Sequence, residues 1–354
     1  MFGMEISRRR LLAGSAAAAG MMAMPRLAGA QAPIRFGTWG GGVGKLYQSA
    51  WLEPFAAENG IAMELSEVAQ PSEQIRVEAG SPQHHVLSVN QVDGVLLARE
   101  GLLTELDPDD YPELKNVDED MWFKVDGKLY GLPPYAALYG IAVNTNRAKD
   151  TDFETWKALA DPKWKGQLTI PTPVRAAQLE MTMMAVANGA SPDNVQPGLD
   201  DFRKYVENTQ VAYSSMAQMN QLLLRGNVAA GPYHFGRVWE MRMGGVTHVA
   251  MVPPVEGVLV NTYGIVVPKG IEVTPEIRKF LNYASSAAPQ MRAFGHSGNF
   301  PVNNLAKVDM SEAQKGLGYS NPDLVIKRIV ADPAMLAEQL QERTNIAEKI
   351  FAGI

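Results

Sequence analysis

From Ile34 onward, short β-rich runs alternate with helical stretches across glycine turns, and that alternation leaves few folds open to the chain. Ile34-Arg35-Phe36-Gly37-Thr38-Trp39 reads as a strand, Gly40-Gly41-Gly42-Val43-Gly44 as a turn, and Lys45 to Glu58 as a helix. Within that helix Trp51, Leu52, Phe55 and Ala56 recur at helical spacing and belong in a core. Asn59-Gly60 closes the helix, and Ile61 to Leu65 reads as the next strand. The unit returns as a strand over Val86 to Val89 and a helix over Val92 to Glu100, stopped by Gly101. Repeated βα units predict an α/β fold with largely parallel sheets.

The middle of the chain predicts a second lobe. After Gly131-Leu132-Pro133-Pro134 comes Ala136 to Asn144, an apolar run too β-rich for a linker and suited to carry the chain, buried and extended, between lobes. A new unit follows, with a helix over Phe153 to Ala160 and a strand over Gln167 to Ile170. Thr172 and Pro173 then sit where an N-cap and a first-turn proline start a helix through Ala187. Further helices are expected over Asp200 to Asn208, Met216 to Gly226 and Pro275 to Ser285, with strands at Val228 to Ala230 and Val249 to Val252. Thr262 to Val267 is a second apolar crossing run ending at Pro268.

The first thirty residues carry an export address. Ser7-Arg8-Arg9-Arg10-Leu11-Leu12 runs into a small, apolar stretch that ends at Ala28-Gly29-Ala30, which fits a cleaved signal peptide of the twin-arginine type. Leu11 to Met24 is shorter than the roughly 20 residues that span a bilayer. Residues 1–30 hold four of the 32 basic and one of the 38 acidic residues, so the remainder carries 28 against 37, a formal charge of −9. That balance, with no basic stripe, disfavours nucleic acid. The chain has no cysteine, which excludes thiolate nucleophiles and cysteine zinc sites and suits an oxidising, periplasmic setting. About 320 residues beyond the signal exceed one comfortable core, so two lobes are expected.

Catalytic and cofactor motifs are not met. Around Gly40 to Lys45 the first glycine of a phosphate loop falls on Trp39 and Leu46 replaces its Ser/Thr, while Lys45 occupies the third glycine of a dinucleotide fingerprint. Gly41 and Gly42 are therefore read as a turn that lets backbone N–H groups approach a ligand. Ser297, in Gly295-His296-Ser297-Gly298, misses the G-x-S-x-G pattern of a hydrolase. His84 and His85 are adjacent, and His234, His248 and His296 lack a spaced carboxylate, so no metal set is expected.

The order of residues resembles the extracellular solute-binding proteins of ABC importers, of the spermidine/putrescine-binding type. Carrying it are Thr38-Trp39, Leu52-Glu53-Pro54-Phe55, Glu58-Asn59-Gly60-Ile61, Arg99-Glu100-Gly101-Leu102-Leu103, Tyr130-Gly131-Leu132-Pro133, Val143-Asn144, Trp164-Lys165-Gly166, Ile265-Val266-Val267-Pro268 and Phe300-Pro301-Val302-Asn303. The resemblance implies a type II periplasmic binding fold of two α/β lobes joined by crossing hinge strands. One lobe is expected over 33–138 and 264–303, the other over 139–263 and 304–354, with a third passage near Asn303. It also implies a monomer that closes on one small solute and presents it to a permease, without catalysis or cofactor.

The resemblance further implies which positions face the ligand. Trp39, Tyr233, Tyr263 and Phe300 match cleft aromatics, Asn90 and Gln91 a ligand-facing loop, and Tyr135 and Asn303 positions beside the hinges. The carboxylates that hold a polyamine in such proteins are missing. Their segment reads Pro171-Thr172-Pro173-Val174-Arg175-Ala176, and the other family aspartate falls on Tyr263. A desolvated diamine without a carboxylate would be severely penalised. Arg175, with Gly41 and Gly42, favours an anionic or zwitterionic solute instead. A polyamine-binding protein, a solute-sensing partner of a receptor and a secreted hydrolase are the alternatives, in that order.

Overall fold

The computed structural model describes residues 32–321 and 323–353; the export segment of residues 1–30 lies outside the described residues. Twelve strands follow one another as β1 (Ile34–Trp39), β2 (Met63–Val68), β3 (Val86–Asn90), β4 (Phe123–Val125), β5 (Lys128–Leu132), β6 (Ala136–Asn144), β7 (Leu168–Pro171), β8 (Thr209–Tyr213), β9 (Ala230–His234), β10 (Val249–Val252), β11 (Val258–Val266) and β12 (Arg328–Val330). They form two sheets, which are mixed rather than largely parallel as the alternation predicts, because the crossing strands β6 and β11 run antiparallel to most of their neighbours. In the first lobe β1 lies parallel between β2 and β3, and the far half of β11 runs antiparallel between β3 and β5. In the second, β7 lies parallel between β8 and β9, and β6 runs antiparallel to β9, β10 and the near half of β11.

The crossing runs do what their composition requires. All nine residues of β6 are buried, because sheet partners and helices cover the strand. Along β11 the partner changes between two successive residues: Thr262 pairs with Ala136 in the second sheet, and Tyr263 pairs with Asn90 in the first. Beside this strand Phe300 bridges Ala136, and further on Asn303 bridges Val117. The next helix, Met310–Leu317, packs on helix Phe235–Met243 of the second lobe.

Local chemistry sets the ends of these elements. Gly60 adopts φ 67° and closes helix Glu53–Asn59 as a left-handed cap. The Asn90 side chain accepts from the Asp93 backbone N–H at the start of helix Gln91–Arg99. Trp51, Leu52 and Phe55 are fully buried, whereas Ala56 is half-buried at the edge of that stripe. Some expectations shift. Thr172 makes no side-chain cap, and the helix expected through Ala187 breaks at Leu179 (φ −104°) into Pro173–Gln178 and Glu180–Ala187. Phe153 to Ala160 forms two short 3₁₀ turns, and the expected strand over Val228 to Ala230 begins at Ala230 and runs to His234.

Phe123 fills a slot lined by Gly94 and Gly264, where added Cβ atoms would lie 1.8 and 2.3 Å from its ring. Overpacking of this kind costs typically about 1–3 kcal/mol. Gly94→Ala is expected to lower stability by at least that much in urea denaturation; an unchanged midpoint would show that the ring moves freely.

Candidate functional site

Between the lobes lies a cavity of about 550 Å³, a size suited to a small organic solute. One wall is aromatic. Trp39, at the end of β1, meets Tyr263 of β11 edge-on at 5.7 Å, and Tyr263 packs on Tyr135 at 5.3 Å. Behind them Tyr135 rests on Tyr47 and Trp51, so the wall continues into the core of the first lobe. Such rings give a stiff surface at low entropic cost.

The opposite side carries charge. Arg175, on the first turns of helix Pro173–Gln178, points its guanidinium at Nε2 of His234, 3.4 Å away. Enclosure, and then the cations Arg175 and Arg237, push the imidazole down to about 3, so His234 is neutral at physiological pH and can serve Arg175 only as an acceptor. Arg237 is paired with Glu240 at 3.0 Å, and this pair meets Gly42 of the other lobe across the mouth of the cleft. Among the described residues Arg175 forms no ion pair. From the first lobe come Asn90 and Asp93. Asp93 Oδ2 accepts from Asn90 Nδ2 at 2.7 Å and from the Ser72 hydroxyl at 3.2 Å. Gln70, Gln178, Asn261, Ser297 and Asn299 add neutral polar groups.

Beneath Arg175 is a buried carboxyl. Glu180 accepts from the Tyr139 hydroxyl through one oxygen, and its other oxygen has no hydrogen-bond partner among the described residues. Burial pushes it up to about 7, although Tyr139, its own backbone amide and the nearby Arg175 all oppose the rise.

Of the residues expected from the sequence, Trp39, Gly42, Asn90, Tyr135, Arg175 and Tyr263 line this one cavity. The others do not. Gly41 forms the turn, with φ 71° and open space around it. Gln91 turns inward to accept from Thr262. Tyr233 points to the other face of β9, where its hydroxyl donates to Asn220 Oδ1 at 2.7 Å, with the Met216 carbonyl as the second acceptor within 3.0 Å. Phe300 packs edge-on against Phe235 and Phe294, and Asn303 donates to Glu113 and to the Ser285 carbonyl. Both border a separate cleft of about 280 Å³ lined also by Lys307, Ile326 and Arg328. Sequence reasoning missed Asp93, His234 and the Arg237–Glu240 pair. The period of two along β9 was the available signal for His234, since that residue and Tyr233 face opposite ways.

A family model described as bacterial extracellular solute-binding protein matches residues 50–315, most of the chain. The spermidine/putrescine-binding periplasmic protein 1 of Haemophilus influenzae is 24% identical over 300 residues, covering 80% of this chain and 76% of the relative. Among solved structures, an ABC transporter substrate-binding protein from Bradyrhizobium japonicum superposes with a TM-score of 0.72 at 21% identity, over 91% of this chain and 99% of the other. The periplasmic binding protein MotA from A. tumefaciens, in complex with glucopine, gives 0.70 at 19% identity, over 90% and 100%. The folds are thus the same, and with three quarters of its length matched by the family model the chain belongs to the bacterial extracellular solute-binding proteins.

Proposed function

We propose that the chain is exported to the periplasm, captures a small anionic or zwitterionic organic solute between its lobes, and delivers it to an ABC permease. The observation that carries this reading is Arg175. It is a guanidinium that forms no ion pair among the described residues, set opposite an aromatic wall in an interlobe cavity. A cation left in that state is stabilised by an anionic guest and repels a diamine. The glucopine-bound structure and the substrate-binding proteins of similar fold support the transport role. The twin-arginine motif supports the exported setting, and no described helix is long and apolar enough to cross a membrane. The change of sheet partner at Thr262 and Tyr263 supports lobes of 33–138 with 264–303 and 139–263 with 304–354, the chain acting as a monomer.

One point favours a polyamine instead: Asp93 lines the cleft, and a relative is named for spermidine and putrescine. A thermal-shift screen of the mature chain against carboxylates, amino acids, phosphonates and polyamines separates the two. Stabilisation follows RT ln(1 + [L]/Kd), about 2.7 kcal/mol at 100 times Kd. Acidic or zwitterionic hits support the proposal, and stabilisation by polyamines alone overturns it. Trp39 is only half-buried, so Trp39→Ala is expected to weaken a hit at least tenfold while the unliganded melting temperature stays nearly constant. A large drop in that temperature would assign Trp39 to the core.

A further inference from the structure

The charges that line the cleft differ in sign between the lobes. Arg237 and Glu240 neutralise each other at 3.0 Å, and His234 is uncharged. Two charges remain, Arg175 from the second lobe and Asp93 from the first, and among the described residues neither forms an ion pair. Tyr263 lines the same cavity, and its hydroxyl feels both charges. Enclosure raises its pKa; Arg175 and Arg237 pull it back, and Asp93 adds to the rise. Tyr263 is therefore exposed to opposite charges contributed by opposite lobes.

We propose that the solute is a zwitterion whose cationic group is held by Asp93 and whose anionic group is held by Arg175, with its body along Trp39, Tyr135 and Tyr263. The assignment rests on the reading of the cleft as the solute site and names a residue, Asp93, as the determinant of charge selectivity. It follows from electroneutrality in a poorly hydrated space. A zwitterion leaves every charge compensated. A dicarboxylate sets a second carboxylate against Asp93, and a diamine sets a second ammonium against Arg175; like charges so placed are strongly unfavourable. Because each end of the ligand engages a different lobe, only a guest with both charges ties the closed form together through two ionic contacts.

Asp93 also has a local role. It occupies the first turn of helix Gln91–Arg99, where its carboxylate and its backbone N–H both bond the Asn90 side chain. Among the described residues its side chain accepts only on Oδ2 and only from the neutral donors Ser72 and Asn90, so no cation of the protein competes with a guest for it. A purely structural role would show in stability and leave ligand selectivity unmoved.

The test uses the mature chain and straight-chain ω-amino carboxylates, α,ω-dicarboxylates and α,ω-diamines of matched length as probes, read by thermal shift and then by calorimetric Kd. Amino carboxylates are expected to bind at least tenfold more tightly than the other two classes. Asp93→Asn keeps the size and the acceptor oxygen, and is expected to shrink that preference over dicarboxylates by tenfold or more. Tighter binding of dicarboxylates or diamines to the wild type overturns the zwitterion assignment and leaves the cleft standing as a solute site. An Asp93→Asn protein that is less stable but keeps the same ranking overturns the role of Asp93. No shift by any of the three classes overturns the reading of the cleft itself.

Discussion

Replacing Arg175 by glutamine is expected to weaken binding of an anionic or zwitterionic solute by about 30-fold or more. Removing one member of a desolvated, hydrogen-bonded charge pair typically costs about 2–5 kcal/mol, and about 1.4 kcal/mol is a factor of ten. The sign separates this account from its rival. If the cleft held a polyamine, Arg175 would be a repulsive neighbour, and its loss would tighten putrescine or spermidine. Stability should change little, because among the described residues the guanidinium makes one long contact, to His234, and no ion pair. Parallel titrations of wild-type and Arg175→Gln protein with both ligand classes decide between the two.

A second large effect is expected at Glu180, which is buried near Arg175 and does not line the cavity. Its carboxyl is raised to about 7 by burial, whereas in the unfolded chain it titrates near 4.5. Between those values the folded protein holds a proton that the unfolded chain has released. This group therefore favours the folded state most at low pH, and that advantage is lost as pH rises through 7. The span corresponds to about 3 kcal/mol. Glu180→Gln carries a permanently neutral amide, so it should match the wild type near pH 4.5 and exceed it in stability by about 3 kcal/mol at pH 8.5. Urea denaturation at the two pH values checks this, and a gap independent of pH would contradict it. Groups that face the carboxyl are Tyr139, Tyr205 and Tyr213, all with pKa values raised by burial, and Arg175. None of the tyrosines titrates in this window. Protonation of Glu180 also strips Arg175 of a nearby negative charge, so anion affinity should strengthen as pH falls through 7.

The lobes were legible because their signals are local. Glycine stops, β-rich runs of five or six residues and the uniformly apolar β6 can each be read within a short window. The aromatic wall was legible through resemblance, since Trp39, Tyr135 and Tyr263 stand at recognisable points beside strand ends and crossings. What stayed hidden depends on register. Asn90 and Gln91 are neighbours, yet Asn90 ends β3 and faces the cleft while Gln91 starts a helix and turns to Thr262. Tyr233 and His234 divide in the same way across β9, whose alignment is set by the pairing of His234 with Tyr139. Asp93 resembles an ordinary first-turn acid until the second lobe places Arg175 in the same cavity. Phe300 and Asn303 bridge Ala136 and Val117, but the core and a separate cleft take their side chains.

The most direct measurement is a crystal structure of the mature chain with the solute that gives the largest thermal shift. The account predicts one solute molecule between the lobes, its anionic group on Arg175 and its body against Trp39, Tyr135 and Tyr263. A solute held by one lobe alone, or seated in the cleft beside Phe300 and Asn303, would contradict it.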